Sequence, residues 1–105
     1  MGSYILTTHF FTIYVQFYSR LSGEIECEIH DSSEFTWYNE SKKFKKPYTL
    51  KSGKTLVGII ANSRNSDALI GAYYGDGNIV VIGWVPINAS SIGENNEFSV
   101  CILYK

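Results

Sequence analysis

The stretch Lys54 to Pro86 reads KTLVGIIANSRNSDALIGAYYGDGNIVVIGWVP and decides the fold. It holds three apolar runs, Thr55 to Ala61, Ala68 to Tyr74 and Asn78 to Val85. They are separated by NSRNSD and GDG, segments rich in residues that tolerate turn geometry. Each run is too short, and too rich in β-branched or aromatic residues, for an ordinary helix. The simplest reading is a three-stranded antiparallel meander, with Asp76-Gly77 supplying the positive φ that a tight hairpin turn requires.

Upstream, Tyr4 to Tyr18 has extended character, with Ile5, Phe11, Ile13, Val15 and Phe17 on one parity. Ser19 to Gly23 reads as a turn. Glu24 to His30 alternates cleanly: Ile25, Cys27 and Ile29 point one way, Glu24, Glu26, Glu28 and His30 the other. That pattern predicts a strand with one wet face. Asp31-Ser32-Ser33 signals a turn into a short strand, Glu34 to Tyr38, and the pair reads as a hairpin. Asn39 to Lys54 is polar and contains Pro47 and Gly53, so it is expected to be a loop crossing between sheets. Ile87 to Asn96 reads as a second loop, and Glu97 to Tyr104 as the last strand. The sum is roughly seven or eight antiparallel strands without a substantial helix. This predicts an all-β sandwich of jelly-roll type.

The 105 residues suffice for one domain, 1–105, with Met1-Gly2-Ser3 reading as a cloning remnant. A hydrophobic share of 45% marks a globular chain, and a formal charge of -1 argues against a nucleic-acid binder. No run approaches the ~20 apolar residues of a membrane helix, and no signal peptide is recognisable. Cys27 and Cys101 match no zinc spacing. They are expected as buried thiols, with a bridge open if their strands are neighbours. In Leu56 to Ile60 and Ile79 to Trp84 both parities are apolar. A second layer should therefore cover them, either a loop or, preferably, another copy of the chain.

Chemistry-bearing patterns are sparse. The row Glu24, Glu26, Glu28, His30 could face a cation, but hard cations want more oxygen ligands, converging from a curved loop; a solvated strand face is the simpler reading. Lys42 to Lys46, around Phe44, could meet phosphate or an acidic polymer, though short lysine runs in loops are ordinarily only solvated. With His only at positions 9 and 30 and no Gly-x-Ser-x-Gly turn, no enzyme, metal site or cofactor is expected. Trp37, Tyr38, Tyr73, Tyr74 and Trp84 could include a sugar platform. Parity turns Trp37 inward with one of Tyr73 and Tyr74, leaving Tyr38 and the other tyrosine outside.

Two blocks carry a resemblance. One is Lys46-Pro47-Tyr48-Thr49-Leu50 followed by Ser52-Gly53-Lys54-Thr55-Leu56-Val57-Gly58-Ile59-Ile60. The other is Phe98-Ser99-Val100-Cys101-Ile102-Leu103-Tyr104-Lys105. Together, over residues 46–105, they resemble the C-terminal receptor-binding head domains of phage tail-fibre and minor tail proteins from Gram-positive hosts. The resemblance implies a non-enzymatic jelly-roll head at a virion fibre tip, made in the bacterial cytoplasm, that forms a homotrimer and binds a host cell-surface polysaccharide. The outward loops Asn62 to Asp67, Gly75 to Asn78 and Ile87 to Asn96 would supply contacts. Tyr38, Tyr73, Tyr74, Asp76, Asn78, Asn62, Arg64 and Asn65 are accordingly the expected ligand-binding residues. The alternatives are a purely structural virion domain without ligand and, third, a metal-dependent enzyme using the acidic row.

Overall fold

The computed structural model describes residues 25–105, so the Tyr4 to Tyr18 strand, the Ser19 to Gly23 turn and Glu24 lie outside the described residues. Eight strands follow: β1 (Glu26–Asp31), β2 (Thr36–Tyr38), β3 (Lys43–Pro47), β4 (Leu56–Ser63), β5 (Leu69–Gly75), β6 (Asn78–Val85), β7 (Ser90–Ser91) and β8 (Phe98–Tyr104). They form an all-β sandwich of two antiparallel sheets, one three-stranded in the order β1-β8-β4 and one five-stranded in the order β2-β3-β6-β5 with β7 beside β6.

The β5–β6 hairpin is the part of the expected meander that forms. Asp76 and Gly77 both take positive φ, 50° and 75°, the pair of left-handed residues that a two-residue turn needs to match strand twist. The third member departs: β4 pairs with β8 in the facing sheet, not with β5. The NSRNSD segment is tied down before it can reverse. Arg64 N donates to Glu97 O at 2.8 Å, and the Asn65 side chain donates to Asn95 O at 2.9 Å and accepts from Glu97 N at 2.9 Å. These bonds hold the end of β4 alongside β8, and the chain then passes to the other sheet.

The expected hairpin of Glu24–His30 with Glu34–Tyr38 is likewise corrected. A 3-10 turn, Ser32–Glu34, carries a capping box: Asp31 accepts from Ser33 N, and Glu34 accepts from Asp31 N at 2.8 Å. This turn lifts the chain over the sandwich edge, so β1 pairs with β8 and β2 with β3. Inside the expected loop Asn39 to Lys54 lies the strand β3, where Phe44 alternates with lysines and buries itself; residues 48–55 make the crossing.

Between the sheets sit Phe35, Phe44, Ile79, Val81, Ile92, Phe98, Val100, Ile102 and Tyr104. Ile92 pins the second loop into this core at 1% exposure, so that loop is not wholly outward-facing. The aromatic contacts Phe35–Phe98 and Phe44–Phe98, at 5.1 and 4.8 Å, are edge-to-face, the arrangement that ring quadrupoles favour. β8 is buried on both faces. Cys101 and Leu103, on its other parity, pack with Ile25, Cys27, Val57 and Ile60 on the outer side of the three-stranded sheet.

Two sequence expectations change with this register. Cys27 and Cys101 are not free thiols but a disulfide across neighbouring strands, with Cα atoms 6.1 Å apart. β1 also lacks a single wet face, since Cys27 packs on the Cys101–Leu103 cluster while Glu28 and His30 of the other parity are only partly exposed. Glu28 and His30 stand opposite Ile102 and Val100 of the inter-sheet core, whereas Ile29, on the apolar parity, is 49% exposed. Alternation gave the two faces, but only the position of β8 decides which one looks inward.

Candidate functional site

The outer face of the five-stranded sheet is where this molecule leaves large side chains open. Register sets its rows. Tyr73 on β5 stands beside Val80 on β6 and Lys45 on β3; Gly71 stands beside Ile82; Leu69 stands beside Trp84. Tyr38 and Lys43 face each other across β2 and β3. Alternation along β6 sends Ile79 and Val81 into the core, so Val80, Ile82 and Trp84 must face out. Trp84 is 57% exposed, Leu69 63%, Tyr38 45% and Tyr73 44%. Lys45 Nζ lies 4.8 Å from the Tyr38 ring centroid, a cation–π contact that holds that ring against the sheet.

This face is not flat. Gly71 has no side chain, and an added Cβ would meet nothing within 4 Å. A cleft of about 500 Å³ opens over it, walled by Leu69 and Trp84 on one side and by Ser41 and Lys42 of the β2–β3 turn and Lys43 at the start of β3 on the other, with Ile82 in its floor. Gly83 beneath it is required by close approach: a Cβ there would sit 2.3 Å from Leu69 O.

The eight residues expected from sequence are dispersed. Tyr38 and Tyr73 lie on the exposed face. Tyr74 turns inward, packs on the core and donates to Tyr48 O at 3.1 Å. Asp76 and Asn78 build the β5–β6 turn, where Asn78 donates to Asp76 O at 3.0 Å. Asn62 donates to Ser63 O at 3.2 Å, and Asn65 clamps the loop ends as described above. Arg64 is 9% exposed at its side chain and pairs with Asp31 and with Glu97. The side chains of Asn62, Arg64, Asn65 and Asn78 are therefore committed to internal bonds. Ile82 and Gly71 are absent from the sequence reading, and Trp84, weighed there as part of a sugar platform, is not among the eight expected contacts. Because both parities of β6 are apolar, no period marks Trp84 as outward.

A second polar assembly runs along the sandwich edge. Tyr104 donates to Tyr48 across 2.6 Å, Tyr48 donates to Glu28 at 2.9 Å, and His30 bridges Glu28 and Glu34 at 2.9 and 2.8 Å. Burial pushes the Tyr48 hydroxyl upward, and its bonds to Tyr104 and Glu28 push the same way. Burial raises Glu28, but the Tyr48 hydroxyl and His30 outweigh it and hold the carboxyl below its ordinary value. For Glu34 the His30 bond, then the Asp31 amide, lowers it. Glu26 is taken up by Lys54 at 2.8 Å and Lys51 at 3.4 Å. Glu26 and Glu28 thus serve as bonding partners to lysines, a tyrosine and a histidine. Among the described residues no cluster of three or more His, Cys, Asp or Glu side chains is placed to hold a metal ion.

At one end of the sandwich a cavity of about 490 Å³ lies over Phe35, Trp37 and Phe44, rimmed by Asp31, Arg64 and the Glu94–Glu97 loop. Its arginine and aspartate are paired to each other, and its aromatic rings pack on one another. Comparison of the chain with family models, curated proteins and solved structures gave no match.

Proposed function

We propose that this domain is a non-enzymatic receptor-binding head of the kind carried by phage tail fibres, and that it holds host-surface carbohydrate on the outer face of the five-stranded sheet. The observation that carries the reading is the exposure of Tyr38, Tyr73 and Trp84 on one sheet face while Trp37, Phe44, Tyr48 and Tyr74 pack inward. Aromatic faces left in water cost solvation unless something stacks on them, and the apolar face of a sugar ring does so while its hydroxyls stay hydrated. Such contacts are shallow. A homotrimeric head supplies affinity through multivalency, gaining factors of about 10² to 10⁴ without new contacts. The resemblance of residues 46–105 to tail-fibre heads supports the same reading.

A glycan array probed with the wild-type protein and with Trp84→Ala/Tyr73→Ala tests it. The expected result is retention by one or more saccharides, lost in the double variant. Retention unchanged in the variant would overturn the placement of the site.

One observation favours a second reading. Leu69 and Ile82 are aliphatic and exposed beside Trp84, and such a patch also suits a second copy of the chain. In that case the domain is a structural assembly module, and the face closes when subunits meet.

A further inference from the structure

We infer that the ligand of this face carries negative charge, a phosphate or carboxylate borne on a sugar ring; the inference rests on the glycan reading above and specifies its chemistry. The cleft over Gly71 has two unlike walls. Trp84 and Leu69 offer an apolar surface, and Lys42 and Lys43 close the other side. Among the described residues that line it there is no carboxylate. This is a local exception, since acidic residues outnumber basic ones over the whole chain, 10 to 9.

The lysines are placed there by the fold. Phe44 is 4% exposed and anchors β3 in the core, so alternation turns Lys43 and Lys45 to the outer face. Lys46, on the inner parity, goes to Glu34 at 3.7 Å instead. Lys42 takes φ 54° at the turn and donates to Asn39 at 3.0 Å, which leaves further N–H donors on the same ammonium. A basic run that looks merely solvated in sequence is therefore sorted into one ion-paired lysine and a cationic wall facing a tryptophan. A neutral sugar offers the lysines only uncharged hydroxyl oxygens. An anionic sugar uses both walls: its ring lies against Trp84 and its charged group reaches the ammoniums, where charge-assisted hydrogen bonds form.

The probes are neutral dextran, polygalacturonate, phosphomannan and an oligo-dT strand, titrated calorimetrically into wild-type protein, Trp84→Ala, Lys42→Ala/Lys43→Ala and Gly71→Val. The last variant fills the cleft at a position where a Cβ is free of contacts. The inference expects one or both anionic polysaccharides to bind at least about tenfold tighter than dextran, and binding to weaken as salt rises from about 0.05 to 0.3 M. It expects loss of that preference in the double lysine variant and loss of binding in the other two. The polygalacturonate and phosphomannan arms separate carboxylate from phosphate. Equal binding of dextran and the anionic polymers, unaffected by the lysine variant but lost in Trp84→Ala, overturns the charge inference and leaves the glycan reading intact. No polysaccharide bound by wild type overturns both. Oligo-dT bound as tightly as the polysaccharides, with Trp84→Ala unaffected, reduces the face to a general cationic surface and overturns the inference.

Discussion

The phenol oxygens of Tyr48 and Tyr104 lie 2.6 Å apart, and the Tyr48 hydroxyl donates a hydrogen bond to Glu28 at 2.9 Å. The contact joins the crossing segment after β3 to the last residue of β8, which is fully buried. Removing one hydroxyl strands unequal partners. Tyr48→Phe leaves a partly buried carboxylate and the Tyr104 hydroxyl each short of a bond, and should cost about 1–3 kcal/mol. Tyr104→Phe leaves Tyr48 still bonded to Glu28 and frees only the amide of exposed Lys51, which donates to Tyr104 at 3.3 Å, so it should cost less. Urea denaturation of both variants checks the order; equal losses would contradict the direction assigned to the chain of donors.

Acid should unfold this protein through the same edge. Glu28, Glu34 and Asp31 are all held below their ordinary values of 4.5, 4.5 and 3.8. For Asp31, burial opposes the shift, and bonds from Ser33 and Arg64 overcome it. A carboxylate lowered on folding stabilises the native state fully above its unfolded value and loses that contribution as pH falls through the folded one. The melting temperature should therefore hold steady from pH 7 to about 5.5 and fall progressively below about 4.5. Glu34→Gln should flatten that fall, because it removes one of the linked groups. A melting temperature that rises on acidification would refute the assignment.

The Cys27–Cys101 bridge spans 74 residues of sequence. Closing a loop of that length in the unfolded chain is worth about 4 kcal/mol on the chain-entropy account. Cys27→Ser/Cys101→Ser should lower stability by about 2–5 kcal/mol. Chemical denaturation of the variant measures it, and intact mass before and after reduction confirms the bond.

Gly83 should be intolerant of even one methyl group. Leu69 O stands 2.3 Å from the position of its Cβ, and backbone in a paired strand cannot yield cheaply. Gly83→Ala should cost about 1–3 kcal/mol, whereas Gly71→Ala in the same sheet should be neutral or slightly stabilising. Thermal melts of the pair distinguish a packing constraint from a general strand preference.

The fold class and the β5–β6 hairpin were legible because they are local: alternation, and an Asp-Gly turn with only one economical geometry. Pairing was not. NSRNSD reads as a reversal, yet its arginine and asparagine are spent on the Glu97 end of β8, and that long-range bonding sends β4 to the other sheet. The site was half legible for a related reason. Tyr38 follows from parity once Trp37 turns inward, whereas parity puts one of Tyr73 and Tyr74 outside without saying which, because neither face of β5 is polar. Trp84 does not follow from parity, since β6 is apolar on both sides, and which parity meets the core is set by Phe44 on the neighbouring strand and Phe98 across the sandwich.

The central claim is that Trp84 stands in solvent to meet a ligand rather than another subunit. The direct test is the solution mass of wild-type protein and of Trp84→Asp by light scattering, run together at two concentrations. Both proteins should give the same mass, whatever its value, with glycan retention lost in the variant. A drop in mass for Trp84→Asp would contradict it and make this face the seam between copies of the chain.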